Sequence, residues 1–491
     1  MELPRAAPNH RVQALLRARH RSGPRVVPAA DLGNSPPFTA PASPAGEAAA
    51  AETLNAPPSI ATPQLLQILR FNQRQIEFLF RARRQLGEVF QMKAGVRGGA
   101  VVTSHPDHIR SLFTAKPDLV PSLTADSPLR PIVGGDSVLT ANGRRHLRQR
   151  KLLLPQFHGD AVARYTEMIT HATEHGIDSW PIGEPFALAP RMQAITLDVI
   201  MSGIFGIEGR PEPGTPEHRL RFTIKRLMAA STSRLAEFSE LINFGREEPV
   251  GLTRRAMQIV DAATYPIIAA RREAVDLDER SDILSLLLEA RTEDGDRLSD
   301  KELRDELLTL VLAGHETTAN QLAWTWERLL RTPNAYEHLR EAVRTNTQAA
   351  ETVENVILES MRSRPVIPII GRRVNVPWRL GEYVVPAGSA VSISILLVHH
   401  REDLYQEPFA FRPERWRDRK PGTYDWIPFG GGTRRCLGAQ LAMAEQRVVL
   451  TAMARRLDLK AERPEPEHAQ HRNVTMIPAH GARAILRQRT S

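Results

Sequence analysis

One cysteine in 491 residues, Cys436, excludes an internal disulfide, a cysteine-rich zinc site and a cysteine-ligated iron–sulfur cluster. Aromatic residues make up only 5% of the chain, and no Lys/Arg cluster is interleaved with them, which argues against nucleic-acid binding. Long apolar runs are missing too. Leu307 to Gly314 and Val391 to Val398 fall far short of the ~20 residues that cross a bilayer, so no membrane span is expected. Charge of one sign is scarce for this length: 65 basic against 56 acidic residues leave +9, as a solvated Arg-rich surface would give. With no internal repeat and no second linker, one large, mainly helical domain is the economical arrangement.

The start of the chain has a different composition. Residues 1–60 hold 14 Ala and 10 Pro without a sustained apolar period, so residues 1–61 read as a flexible leader and 62–491 as the globular part. Arg enrichment there resembles an organelle transit peptide, but the prolines at 4, 8, 24 and 28 prevent one long amphipathic helix. Helical periodicity follows over Pro63 to Leu86, then short strands near Val89 to Met92 and Ala100 to Thr103. The longest predicted helix runs from Ser299 to Arg331, opened by Ser299 and Glu302 at capping-box spacing and closed by Thr332-Pro333. Its middle is unusually polar, reading Gly314-His315-Glu316-Thr317-Thr318. Beyond Pro365 come short strands, an irregular stretch over 399–428, a Gly-rich loop and a last helix from about Leu437 to Leu457.

That loop, Phe429-Gly-Gly-Gly-Thr-Arg-Arg-Cys-Leu-Gly438, places the thiol where a helix N-terminus and two arginines favour the thiolate. Such a thiolate can serve as a nucleophile, a redox sensor or a ligand for soft iron. No His in the loop offers a general base, and no Gly-Lys-Ser/Thr ending offers a phosphate cradle.

Phe429, Gly432, Arg434, Cys436 and Gly438 match Phe-x-x-Gly-x-Arg-x-Cys-x-Gly, and on these residues the chain resembles the cytochrome P450 family. The resemblance covers roughly 62–491. It implies a mainly α fold with small β-sheets, a triangular helical domain around a buried heme b (iron protoporphyrin IX), with Cys436 as the axial ligand. Glycines would let the backbone approach the macrocycle and donate N–H groups to the sulfur, while Phe429 would shield it from water. Ala313-Gly314-His315-Glu316-Thr317-Thr318 matches the family's Ala/Gly-Gly-x-Asp/Glu-Thr-Thr/Ser. Small Ala313 and Gly314 would let the helix lie close to a flat cofactor, and Glu316 and Thr317 would relay protons during oxygen activation. His315 is assigned to packing or solvent contact.

Glu359-Ser-Met-Arg362 matches Glu-x-x-Arg, 77 residues before Cys436, and Pro413-Glu414-Arg415-Trp416 stands where the family has Pro-Glu-Arg-Phe/Trp. In that resemblance Glu359, Arg362 and Arg415 form a buried carboxylate with two guanidinium partners. His146 and Arg150, four apart on one predicted helical face, would anchor heme propionates together with Arg434 and either Arg372 or Arg373. Arg144, Arg145, Arg148 and Lys151 leave a second basic face, suited to an acidic redox protein.

The resemblance implies a cytoplasmic, soluble monomer of bacterial type. It would insert one oxygen atom from O2 into a small hydrophobic substrate. Electrons would come from an external ferredoxin or flavodoxin with its NAD(P)H reductase, because only 55 residues follow Cys436 and no nucleotide-binding fingerprint precedes it. Two other readings are a peroxide-driven or isomerase-type heme-thiolate enzyme, which the acid-Thr pair argues against, and a non-catalytic heme sensor or binding protein. Substrate choice would lie in segments 118–140, 185–250 and 365–370.

Overall fold

Five helices position the site: α1 (Gly143–Leu153), α2 (Leu188–Phe205), α3 (Asp300–Leu329), α4 (Ala349–Ser363) and α5 (Ala439–Arg456). The computed structural model describes residues 55–490 apart from 95–98, 128, 208–210, 231–238, 240–241, 244–245, 292–294 and 473. Helix α3 is the axis of the fold. The Ser299 side chain accepts the Glu302 N–H, and the Glu302 carboxylate accepts the Ser299 N–H, so two otherwise orphaned donors are satisfied reciprocally. Its 30 residues span roughly 45 Å. Leu303, Leu307, Val311, Leu322, Trp326 and Leu329 form one buried stripe, and Ala323 and Trp324 are buried on other faces because other elements pack on several sides of the helix.

Helix α2 packs across α3. It is apolar almost all round, and the Thr196 hydroxyl adds a bond to the His315 carbonyl of α3 at 3.0 Å. The sequence predicts one helix over 63–86. Two are found instead, Gln64–Gln73 and Gln75–Leu86, because Arg74 leaves helical geometry with φ −142° and ψ 62°. Phe71 and Phe78 then meet edge to face across the break in one cluster with Leu79, Phe90 and Met92.

The main sheet has four strands, β1 (Val89–Met92), β2 (Ala100–Thr103), β3 (Ile369–Arg373) and β4 (Ala390–Ser394), in the order β1-β2-β4-β3. Only β2 and β4 run parallel; β3 lies antiparallel to β4 with Arg372 opposite Val391. A hairpin of β5 (Ala469–Arg472) and β6 (Thr475–Pro478) is tied to α3 by the Trp324 indole N–H, which donates to the Met476 carbonyl at 2.9 Å. The stretch 399–428 is irregular except for a 3-10 turn at Pro413–Trp416. The leader assignment lies outside the described residues as far as residue 54. Of its last residues, Asn55 and Ser59 bridge to Tyr383 and Gln91. Among the described residues, no helix is long and apolar enough to cross a membrane.

The capping box generates a direct test. Ser299→Ala should destabilise the protein by about 1 kcal/mol, seen as a lower urea midpoint at unchanged slope; an unchanged midpoint would show that α3 is held by packing alone.

Candidate functional site

The cysteine loop is held by its own backbone. The Cys436 N–H donates to the Phe429 carbonyl at 2.9 Å, and the Gly430 N–H to that of Ile427 at 2.9 Å. At Gly432, φ is +64°, and a Cβ would stand 2.3 Å from the Phe113 carbonyl oxygen, so both conformation and space demand glycine. The Phe429 ring packs edge-on to Trp426. Cys436 is exposed, with the Gly438 N–H bonded to its sulfur.

Desolvation pushes the thiol pKa up, outweighing the Gly438 N–H, Arg150 and Arg435, which lower it. The expectation that the helix N-terminus and the loop's two arginines favour the thiolate is corrected in two ways. Desolvation wins in the free thiol, and Arg150 of α1 takes the place expected for Arg434. Arg434 turns away, donating to the carbonyls of Val138 (3.1 Å), Leu139 (3.2 Å) and Ala141 and to the Asn142 side chain.

A pocket beside the loop is lined by Phe113, Ser122, Asn142, His146, Arg372 and Arg434, with others. Arg372 reaches it because β3 is the edge strand of the main sheet and Ser122 bridges to its backbone; its guanidinium lies 5.7 Å over the Phe113 ring. Arg373 donates instead to the Gly388 carbonyl at 2.8 Å, and of the two arginines Arg372 is the one that lines the pocket. Arg150 sits apart from the pocket, donating to the Arg435 carbonyl at 2.8 Å.

Every charge acting on this cluster is positive. Burial together with Arg434, Arg150 and Arg372 pulls the His146 pKa down to about 3. Burial with Arg372 and Arg150 lowers Arg434 to about 10, and burial alone lowers Arg372 to about 10. Buried cations without a paired carboxylate are costly, and an anionic group would relieve them. The donor set therefore fits the heme that the loop motif implies: a sulfur with an N–H donor, a glycine-lined approach, and guanidinium and imidazole groups suited to propionates.

Behind the loop, the Glu359 carboxylate is fully buried and surrounded by donors. Arg362 bonds both of its oxygens at 2.8 and 2.9 Å, Arg415 Nε lies 3.1 Å away, and the Arg412 N–H donates at 2.9 Å. Trp416 Nε1 donates to it at 3.0 Å, a bond that a Phe there could not make and that the sequence reading missed. Arg362 spends its remaining N–H groups on the carbonyls of His399, Pro408 and Ala410.

On α3 the buried run is interrupted at 312–314 and 316–317, where Ala313 is exposed. The Thr317 hydroxyl donates back to the Ala313 carbonyl at 2.7 Å, so that acceptor is shared between the backbone and a side chain. At Gly314 a Cβ would stand 2.7 Å from Ile200 Cδ1 of α2, so close packing of the two helices requires glycine there. His315 is buried with Nδ1 3.1 Å from the Val311 carbonyl, and burial lowers its pKa. Glu316 is ion-paired with Arg472 of β5, whose Nε lies 2.9 Å away. No sequence signal pointed to Arg472, because 156 residues separate the partners and only the hairpin's docking on α3 brings them together.

The second basic face is partly neutralised within the chain. Arg145 pairs with Asp136 and Arg148 with Glu302, leaving Arg144 and Arg435 exposed beside the exposed Leu147. On α5, nine residues past the cysteine, Glu445 is buried, and desolvation raises its pKa to about 8.

The Cytochrome P450 family profile matches residues 56–484. The chain is 34% identical over 446 residues to a protein assigned as cytochrome P450 137 of Mycobacterium tuberculosis, covering 89% of this chain and 92% of that one. It is 35% identical over 434 residues to one assigned as cytochrome P450 138 of Mycobacterium bovis, covering 88% and 96%. Among solved structures it superposes on cyanobacterial CYP120A1 with retinoic acid bound, at a TM-score of 0.74 and 23% identity, over 89% of this chain and 100% of that chain.

Glu445 generates a pH test. Its folded pKa lies above the usual carboxylate value, so the native state holds the extra proton between about pH 4.5 and 8, and stability falls as pH rises through that window. Glu445→Gln should therefore gain stability relative to the parent chain, by on the order of a few kcal/mol from about pH 5 to about pH 8. Urea titrations in which the difference stays flat with pH would contradict a neutral buried carboxyl.

Proposed function

The chain belongs to the cytochrome P450 family of heme-thiolate monooxygenases, and from that membership we propose that it inserts one oxygen atom from O2 into a hydrophobic organic substrate, using electrons from an external ferredoxin or flavodoxin system. The observation that carries this reading is Cys436, with its Gly438 N–H donor, beside a pocket lined by His146, Arg372 and Arg434 on which, among the described residues, every charge acting is positive. Residues 62–491 act as the heme domain, and the cofactor is heme b.

Heme held through the Cys436 sulfur would supply the redox chemistry of oxygen activation. The Gly438 N–H moderates the charge on the sulfur, and Phe429 keeps water from it. His146, Arg372 and Arg434 hold the propionates, with Arg150 beside the sulfur. Thr317 Oγ1, bonded to the Ala313 carbonyl, and the Glu316 carboxylate, held by Arg472, pass protons along α3. Substrate is bound by parts of 118–140, 185–250 and 365–370, some of which lie outside the described residues. The acid-Thr pair favours oxygen activation over a peroxide-driven or isomerising enzyme.

Arg144, Arg435 and Leu147 form the docking face for the acidic electron donor, because the neighbouring Arg145 and Arg148 are already paired.

A reduced, carbon monoxide-bound spectrum should show the red-shifted thiolate Soret band and lose it in Cys436→Ala; survival of the band in that variant would end the reading. Turnover should require the donor system rather than peroxide. Reversing Arg144 to Glu should raise the KM for an acidic ferredoxin roughly threefold and flatten its salt dependence, with the spectrum unchanged. An unaltered KM would move the docking face elsewhere.

A further inference from the structure

Between the short helix Arg130–Val133 and α1, residues 134–142 form a strap from the flank of α3 to the cysteine loop. On the α3 side, the Asp136 N–H donates to Asp305 Oδ2 at 3.2 Å and the Val138 N–H to Glu306 Oε1 at 2.9 Å. Gly134 crosses so close that a Cβ would stand 1.9 Å from Asp305 Oδ2. On the other side, Arg434 collects the carbonyls of Val138, Leu139 and Ala141. Val138 is thus held by its N–H to the long helix and by its C=O to the loop that carries Cys436. The strap then enters α1, which carries His146.

Glu306 is fully buried, and its second oxygen has no partner among the described residues. Charged groups flank it on each side. Its own helix supplies Lys301, Glu302, Arg304 and Asp305; the strap supplies Asp136, α1 supplies Arg145 and Arg148, and helix Gly251–Arg272 supplies Asp261. Each of these cations is committed to another carboxylate: Arg148 to Glu302, Arg145 and Lys301 to Asp136, Arg304 to Asp261 and Asp305. Burial, Asp305 and Glu302 together push the Glu306 pKa up to about 8, against the Val138 N–H that lowers it.

We propose that Glu306 is a positioning residue, a neutral carboxyl that bolts the strap to α3 and so keeps Arg434 and His146 in place at the heme. It rests on the heme reading of the cysteine loop. When the carboxyl ionises, a buried charge beside Asp305 and Glu302 has no cation to pair with, and lifting the strap lets water reach it. Cofactor retention therefore weakens as pH rises through the Glu306 titration.

The test uses the heme-loaded protein. Heme transfer to excess apomyoglobin and amide exchange of 134–142 are followed from about pH 7 to about pH 9.5 in the parent chain, Glu306→Gln and Glu306→Ala. Exchange is read as the ratio of parent to Gln variant at each pH, which cancels intrinsic base catalysis. Heme loss from the parent should rise about tenfold across that range, loss from Glu306→Gln less than about twofold, and Glu306→Ala should be fast throughout. Equal pH slopes in parent and Gln variant, or an Ala variant as slow as the parent, would overturn the proposal. Should Glu306→Gln not fold, exchange of 134–142 relative to 143–153 within the parent serves instead, and a ratio constant with pH overturns it. A chain without the thiolate Soret band fails the heme reading, and the exchange ratios still decide the strap.

Discussion

The structure around the site depends on the desolvated carboxylate of Glu359. A carboxyl group with no exposed surface is tolerated there because Arg362, Arg415, Trp416 and the Arg412 amide satisfy both its oxygens. These donors come from α4 and from the irregular stretch that leads to the cysteine loop. Arg362 extends the same network to three carbonyls of that stretch. A segment of nearly thirty residues with almost no secondary structure thereby acquires a fixed path, and the loop at its end inherits that placement.

Charge is distributed with the opposite logic on the two sides of the strap. Around the α3 acids, Arg and Lys side chains are consumed by carboxylates, and Glu306 is left neutral. Around His146, Arg372 and Arg434, cations crowd together with no carboxylate to balance them. The first arrangement is internally closed, whereas the second calls for an anionic partner. Carbonyls of 138–142 act as the stop-gap acceptors for Arg434, which ties the cofactor side to the α3 side through a few peptide groups.

How much was legible in the sequence differs from residue to residue. The capping box of α3 and the glycine at 432 were readable because each is local: a side chain and an amide three residues apart, or a φ that only glycine adopts without strain. The break at Arg74 was not, since periodicity on both sides continues through it. Gly314 matched a motif, yet its neighbour proved to be Ile200 of another helix. Arg472 beside Glu316, and Trp416 as a donor to Glu359, depend on chain segments 156 and 57 residues distant, which no window of the sequence places together.

By itself, the sequence determined the family motifs, their order and the helical class, because these follow from residue types at short, fixed spacings. The tertiary structure alone decided which charges meet. It set Arg372 rather than Arg373 in the pocket, turned Arg434 to the strap and put Arg150 by the sulfur, and buried Glu306 and Glu445 so that desolvation pushes their pKa values up. The physical reason is that desolvation and Coulomb terms depend on distances through the folded core, and packing, not sequence separation, sets those distances.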